Sequence, residues 1–438
     1  MAKLNKKPEQ IKTHEGAVAK HITPEFELRR AVMSCMLWEN SFYESGESIA
    51  IRIERLVAQV NSDTVAQIAK EARSDMKLRH VPLLIARGLA RKGYEKLADL
   101  LEEIIQRPDE ITEFLAIYWK EGKQPLANQV KKGIARAFHK FDEYQLAKWD
   151  RGEKIKLRDA LFLSHPKPKD KDQEALWKRL VDGELKTPDT WEVSLSSGGN
   201  KQEHWTRLLK EKKLGALALL RNLRNMLESN VDRTLIKEAI ASMSANKVLP
   251  YRFITAAKYA PDLEPELEKA MFRALNGMKA LTGRTILLVD VSGSMGWNLS
   301  SKSEMSRMDA ANGLSILLRE LTEDISVYTF SEEVVKVPPR RGFALRDTIR
   351  LSQPHGITYL GKAIRTIDYK EDYDRLIIFT DEQSHDSYPD PKGKTYLINV
   401  SSEQNGVGYG KTHHIDGFSE KVFDYILEFE EMIKSELS

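Results

Sequence analysis

The 438-residue chain reads as two parts: an all-α module of repeated helices, then an α/β domain built on a doubly wound parallel sheet. Three observations predict this. Up to Gly283, apolar residues recur at the three- and four-residue spacing of helices, with little strand signal between them. Beyond Gly283, short unbroken apolar runs alternate with helical segments, the texture of strands buried on both faces and joined by helices. The charge changes at the same place. Residues 1–283 carry 50 Lys and Arg against 40 Asp and Glu, whereas residues 284–438 carry 18 against 25. A basic part followed by an acidic one points to a polyanionic partner for the first part alone.

The helical part opens at Thr23-Pro24-Glu25, where a capping hydroxyl, a first-turn proline and an acid at the positive end of the dipole start a helix. Helical spacing continues over Asp63–Arg73, Leu83–Lys92, Tyr94–Gln106, Asp109–Lys120 and Lys131–Lys140. Breaks fall at Gly93, Pro108, Gly122–Pro125, Gly152 and Pro166. Many short helices in succession suggest stacked helical pairs, although no strict repeat period is visible. After the connector Pro166–Asp172 and the loop Ser194–Asn200, helices resume over His204–Glu228, Asp232–Ala245, Pro250–Tyr259 and Pro265–Leu281. The second part is predicted as strand Thr285–Val289, helix Met308–Thr322, strand Ile325–Phe330, helix Tyr359–Ile367, strands Asp374–Thr380 and Thr395–Val400, and a closing helix Phe418–Ile433. The domains are therefore expected at 15–283 and 284–438.

Composition excludes several classes. With 41% hydrophobic and 30% charged residues, the chain has the make-up of a globular protein, not a disordered one. No apolar run approaches the roughly 20 residues that span a bilayer, and the polar, basic start has no signal-peptide core. A single cysteine, Cys35, permits no internal disulfide and reads as core. Together these lead to the expectation of a cytoplasmic protein that does not engage membranes. No Ser-His-Asp set is visible by spacing, and the expectation is a non-enzyme. His413-His414 and His385 read as loop histidines. A monomer is assumed.

Predicted strand Thr285–Val289 runs into Asp290-Val291-Ser292-Gly293-Ser294. Alternate residues Asp290, Ser292 and Ser294 set one carboxylate and two hydroxyls on one side of a tight loop, with Gly293 permitting the turn. Thr358 precedes a helix, and Asp381 follows a strand. In an open α/β sheet all five lie beyond the carboxyl ends of the strands, where ligands bind. Carboxylate and hydroxyl oxygens suit a hard divalent cation, foremost Mg²⁺, which keeps waters that a partner's oxygen can replace. The bland reading is a turn capped by Ser and Asp. This Asp-x-Ser-x-Ser, Thr, Asp set resembles the metal-ion-dependent adhesion site of von Willebrand A domains, a Rossmann-like fold. The family often has an acid after the threonine; here Tyr359 follows.

Between Lys131 and Lys171 there are 12 basic and 6 acidic residues. Cations on one helical face would neutralise phosphates and release counterions, and Trp149 and His165 could stack on unpaired bases; a solvated face and a core Trp149 are the plain alternatives. Several segments resemble the TROVE module of Ro autoantigen proteins: Leu28-Arg29-Arg30, Leu78-Arg79-His80-Val81-Pro82, Gly133-Ile134-Ala135-Arg136-Ala137-Phe138, Leu163-Ser164-His165-Pro166-Lys167-Pro168, Trp191–Ser196 and Leu214–Met226. The adhesion-type domain follows them in the same order as in Ro proteins.

The resemblance implies a HEAT-like, ring-like helical module closed by a von Willebrand A domain. It implies binding of small noncoding Y-like RNA, and of single-stranded 3′ ends of misfolded RNA, as a scaffold in RNA quality control that tethers an exoribonuclease or RNA helicase through the RNA. It places Lys148 and His165 most directly, and Arg151 less so, at positions of RNA contact. Lys131, Lys132, Arg136, Lys154, Lys156 and Arg158 are added from charge alone. The helical part is shorter than in the animal proteins, which leaves open whether a ring admits a single strand. Arg79 and His80 read as a structural helix junction. The rival reading is a metal-dependent protein-interaction adaptor without RNA.

Overall fold

Each of Asp142, Asp170, Asn200, Asp232 and Ser306 stands just before a helix and accepts a hydrogen bond from a first-turn amide at 2.7–3.0 Å. Such caps satisfy donors that the helix cannot satisfy itself, and they explain why short helices begin where they do. The computed structural model describes residues 12, 23–34, 46–74, 76, 78–150, 154–188, 190, 191, 193, 199–245, 248, 250–276, 278–299, 303–401, 412–416, 422, 423, 426, 427 and 430. Cys35 lies outside them, as do Arg151 and most of the Trp191–Ser196 segment.

The described residues fall into two compact units, one within 24–38 and 46–199, the other mainly 200–438. The first unit holds α1 (Pro24–Ser34), α2 (Gly46–Gln59), α3 (Ser62–Ser74), α4 (His80–Arg91), α5 (Leu97–Ile104), α6 (Pro108–Tyr118), α7 (Asn128–Phe138), α8 (Glu143–Trp149), α9 (Leu157–Ser164) and α10 (Lys171–Asp182). Alternate helices pack on each other: α3 on α5, α5 on α7 and α7 on α9 form one row, and α2 on α4, α4 on α6 and α6 on α8 form another. This is the arrangement expected of stacked helical pairs, in which each pair buries its apolar face on the next. Gly133 lets α7 approach α5, because a Cβ there would stand 2.7 Å from the Leu101 Cβ and 3.1 Å from the Ala98 carbonyl oxygen. Arg79 and His80 are spent on structure, as the junction reading expects: Arg79 lies 2.8 Å from Asp109 and 2.6 Å from Glu113, and His80 3.4 Å from Glu113.

The second unit begins with α11 (Lys201–Lys210), α12 (Ala216–Glu228), α13 (Arg233–Ser242), α14 (Pro250–Tyr259) and α15 (Glu264–Leu275). The continuous helix expected over His204–Glu228 is broken at Lys212, whose φ of +52° no helix tolerates. There follow β1 (Leu281–Asp290), α16 (Arg307–Glu320), β2 (Thr322–Phe330), β3 (Val334–Lys336), α17 (Gly342–Arg350), α18 (Leu360–Lys370), β4 (Arg375–Thr380), β5 (Lys394–Asn399) and β6 (His413–Asp416). The expected closing helix is described only at Val422, Phe423, Ile426, Leu427 and Glu430, which are helical. The texture change at Gly283 is real, but the compact units divide near residue 200. The reason is packing: α14 rests on α16, and α15 on α17.

The six strands run in the order β3-β2-β1-β4-β5-β6. All neighbours are parallel except the short edge strand β3. β1 lies in the middle, and Ile286–Asp290 are fully buried. The chain winds from β1 outward to β2 on one side and to β4 on the other. The carboxyl ends of β1 and β4 therefore flank the point where strand order reverses, the usual place for a ligand in such sheets.

Candidate functional site

Asp290 ends β1 and Asp381 immediately follows β4; both are fully buried. The turn after β1 folds back on itself: Ser292 N donates to Asp290 Oδ1 at 2.8 Å, and the Ser292 and Ser294 hydroxyls lie 3.3 Å apart. Thr380 Oγ1 donates to Asp290 Oδ2 at 2.7 Å, joining the two strand ends. Gly293 N reaches Gly356 O at 3.0 Å, and His385 N reaches Thr358 O at 3.0 Å. These bonds place the segment 356–358 between the turn after β1 and the turn after β4. Thr358 is buried there. The sheet edge thus brings together the five residues expected from sequence. Gly293 permits the close turn through its missing side chain, which lets the His355 and Gly356 carbonyls come within 3.4 and 3.8 Å of where a Cβ would stand.

Two buried carboxylates side by side repel each other. Burial first, and then the Asp381 charge, push the Asp290 carboxyl well above the usual carboxylate range. One compensating cation is built in. Arg307, the first residue of α16, is fully buried, and its guanidinium lies 2.7 Å from Asp381 Oδ2. Nothing in the local sequence marks it, since its partner is 74 positions away.

Beside it Glu382 stands in the left-handed region at φ +60°. It is fully buried, lies 2.5 Å from His414 Nε2 and accepts from Asn399 Nδ2 at 3.3 Å. This corrects the loop reading of His413-His414: the pair forms β6, and the His414 side chain is 2% exposed. His385 is exposed, as expected of a loop, with its ring 6.1 Å from that of Tyr359.

Among the described residues, no three His, Cys, Asp or Glu side chains gather as a metal-holding group. The donors at the sheet edge are of another kind, two carboxylates and three hydroxyls. An all-oxygen set with net negative charge fits a hard cation and not a soft one.

In the helical unit the expected cations do not form one patch. Lys131 of α7 and His165, the cap of α9, line one cleft of about 400 Å³ with Trp119, Lys123 and Phe162. Lys148 lies elsewhere, 5.3 Å from the Trp149 ring and 6.0 Å from that of Tyr144. The Arg107 guanidinium covers the Trp149 ring at 3.5 Å, so Trp149 is a half-buried surface residue and not core.

Arg107 caps the start of α6 and Trp119 its end. At 1.5 Å per residue, their backbone positions stand about 18 Å apart along the helix axis. Lys132, Lys154, Lys156 and Arg158 are exposed, without an acidic partner among the described residues. Arg136 is different: its guanidinium is held by Asp99, with Glu102 at 3.6 Å. Lys140, within the same basic stretch, is turned onto the Glu102 and Ile105 carbonyls, and burial lowers its pKa. Trp119, Lys123 and Phe162 were not singled out from sequence; the exposure of Phe162 at 56% is visible only once α9 is placed.

With this geometry in place, relatives can be set beside it. The TROVE domain family matches residues 177–310, which run from α10 into α16 and include the turn after β1. Telomerase protein component 1 of Mus musculus is 34% identical over 89 residues, covering 19% of this chain and 3% of that protein. The Rattus norvegicus protein of the same name is 33% identical over 89 residues, with the same coverage. The chain therefore matches only a small piece of these curated relatives. The crystal structure of the Deinococcus radiodurans RO (RSR) protein is similar at a TM-score of 0.62 and 19% identity, covering 90% of this chain and 97% of that one. At that identity the likeness is one of fold. Among the described residues, no helix is long and apolar enough to cross a membrane.

Proposed function

We propose that this chain is an RNA-binding protein of the Ro type. Its helical unit would hold small noncoding, Y-like RNA, and its α/β unit would be a von Willebrand A domain with a metal-ion-dependent adhesion site. The observation that carries the reading is the TROVE match over residues 177–310, in a chain whose helical unit shows exposed cations without an acidic partner among the described residues and whose sheet edge is lined with oxygen donors. Phosphate contacts by Lys131, Lys132, Lys148, Lys154, Lys156, Arg158 and His165 supply most of the affinity in this account. Arg151 joins them by resemblance. Arg136 contributes least, because Asp99 already neutralises it.

Asp290, Ser292, Ser294, Thr358 and Asp381 would hold a divalent cation, Mg²⁺ above all. When bound, it offers an open position to an acidic oxygen of a partner. This chain's own residues prepare the place: Thr380 and the Ser292 amide fix Asp290, and Arg307 and the Gln383 amide, at 3.2 Å, fix Asp381. The finer roles are a scaffold in RNA quality control, the capture of misfolded RNA 3′ ends by a HEAT-like ring, and an exoribonuclease or RNA helicase tethered through the RNA. They belong to the same proposal, as do a cytoplasmic location and the lack of catalysis.

The sheet-edge donors favour one other reading equally well, a metal-dependent protein-interaction adaptor without RNA. Ultraviolet absorbance of the purified protein separates the two. A high 260/280 nm ratio that collapses after ribonuclease supports RNA binding. A protein-like ratio, together with failure to bind added hairpin RNA, favours the adaptor.

A further inference from the structure

We infer that Asp386, which is not among the expected cation ligands, is a positioning residue for two of them. It clamps the start of α18, and with it Thr358, to the turn after β4 that carries Asp381. The inference rests on the metal-site reading and adds to it a residue that sets the affinity without touching the ion.

α18 begins without a cap of its own. Tyr359 stands at the cap position with no side-chain hydrogen bond to the helix, and no acid lies in the first turn. Left so, the first amides lack partners and the positive end of the dipole lacks a counter-charge. Asp386 supplies both from the neighbouring turn. Its Oδ1 accepts from Gly361 N at 2.8 Å, and its Oδ2 from Lys362 N at 2.7 Å. The same carboxylate accepts from Ser384 Oγ at 2.8 Å and from the Arg365 guanidinium at 3.0 Å. Ser384, fully buried, in turn accepts from Leu360 N at 3.2 Å. The first three amides of α18 therefore all end on residues 384 and 386.

Gly361 is what lets the two segments meet. A Cβ there would collide with the Ser387 carbonyl oxygen and stand 2.8 Å from Asp386 Oδ2. Beside the threonine itself, His385 N donates to Thr358 O at 3.0 Å and closes the strap. Asp290, Ser292 and Ser294 share one turn and keep their spacing by themselves, whereas Thr358 and Asp381 arrive on separate segments. A small hard cation demands near-ideal octahedral geometry, so it needs those two held at a fixed separation. Groups that orient ligands in this way typically change metal affinity ten- to a hundredfold when they are lost.

The test is binding of Mn²⁺, which takes the same oxygen ligands as Mg²⁺, to the full chain, read by electron paramagnetic resonance of the free ion. Ser292→Ala with Ser294→Ala removes two ligands and marks the binding that belongs to this site. Asp386→Asn keeps the shape and one acceptor oxygen but loses the charge; Gly361→Ala forces the segments apart with the carboxylate intact. Each is expected to raise the Mn²⁺ Kd of that site about tenfold or more. Glu371→Gln, at the far end of α18, alters the same unit without touching the strap and is expected to leave the Kd unchanged. Binding to Asp386→Asn as tight as to the unaltered protein overturns the inference and leaves the metal reading standing. An equal loss in Glu371→Gln also overturns it, because the effect is then one of general stability. If the unaltered protein binds no Mn²⁺ at this site, the metal reading itself fails and the positioning role with it.

Discussion

The sheet edge of the α/β unit and the cationic ends of α6 are both assembled from residues far apart in sequence, yet they are opposite in physics. At the sheet edge the charges are buried, and each carboxylate is locked by main-chain and side-chain donors. Around α6 the cations are exposed or half-exposed, and most have no acidic partner among the described residues. A buried set is costly to leave uncompensated, so it is sensitive to single substitutions and indifferent to salt. An exposed set tolerates substitution, and its attraction to a polyanion fades with salt. Loss of the rigid site is therefore expected to damage the fold, and loss of the soft surface to damage only the proposed RNA binding.

The sharpest way to break this contrast is Arg307→Met. It leaves Asp290 and Asp381 without their built-in cation, and losing one partner of a buried pair costs about 3–5 kcal/mol. A large fall in Tm is expected, partly restored by millimolar Mg²⁺, because a second cation then does what the guanidinium did. An unchanged Tm means that the pair is not what balances the site. Next in size is the metal itself. If it binds, Mg²⁺ at a hundred times its Kd stabilises the unaltered protein by about 2.7 kcal/mol, and Ser292→Ala with Ser294→Ala abolishes that gain. Equal Mg²⁺ stabilisation of both proteins would place the cation elsewhere.

On the soft side, Lys131→Ala with Lys148→Ala is expected to lower the slope of log affinity against log salt by about 2. Stability should stay within about 0.5 kcal/mol of the unaltered protein's. Arg136→Ala, by contrast, should change the slope little, because Asp99 holds it. Equal slopes for the two changes would show that pairing does not decide which cations meet phosphate.

The smallest effect concerns acid. The Tyr328 hydroxyl and then Arg284 hold the Glu371 carboxyl down to about 2, from its ordinary 4.5. Its contribution is present above pH 4.5 and is lost as the pH falls toward 2. Glu371→Gln should therefore weaken the protein at neutral pH and flatten the decline in that acid window. A variant whose stability falls as steeply there would remove Glu371 from the account.

The difference between the regions also explains what could be read from the amino-acid chain. Asp290, Ser292 and Ser294 announce themselves because a strand end imposes their spacing, and Thr358 and Asp381 follow from knowing which edge strands share. Arg307, Glu382 and His414 do not, since each acquires its meaning only from a partner on another element. The strands β3 and β6 and the helix α17 were not anticipated: three or four residues give too short a run for alternation to register, and Gly342–Arg350 lacks a capping side chain. The basic stretch was legible as charge but not as geometry. Only the rows of packed helices divide Lys131 and His165 from Lys148, and show that Arg136 and Lys140 are already engaged. The compact units divide near residue 200 and not at Gly283 for a similar reason, because periodicity marks where strands begin but not which helices pack beside them.

The exposed cations of the helical unit are expected to bind RNA independently of the sheet-edge site. The most direct measurement is a salt series of affinity for a hairpin with a single-stranded 3′ tail and for the same hairpin blunt, with the unaltered protein and with Asp381→Asn. The account predicts submicromolar binding with a steep salt slope that is the same for both proteins, and tighter binding of the tailed RNA. Binding of neither RNA by the unaltered protein, or a slope near zero, would contradict it and favour the metal-dependent adaptor.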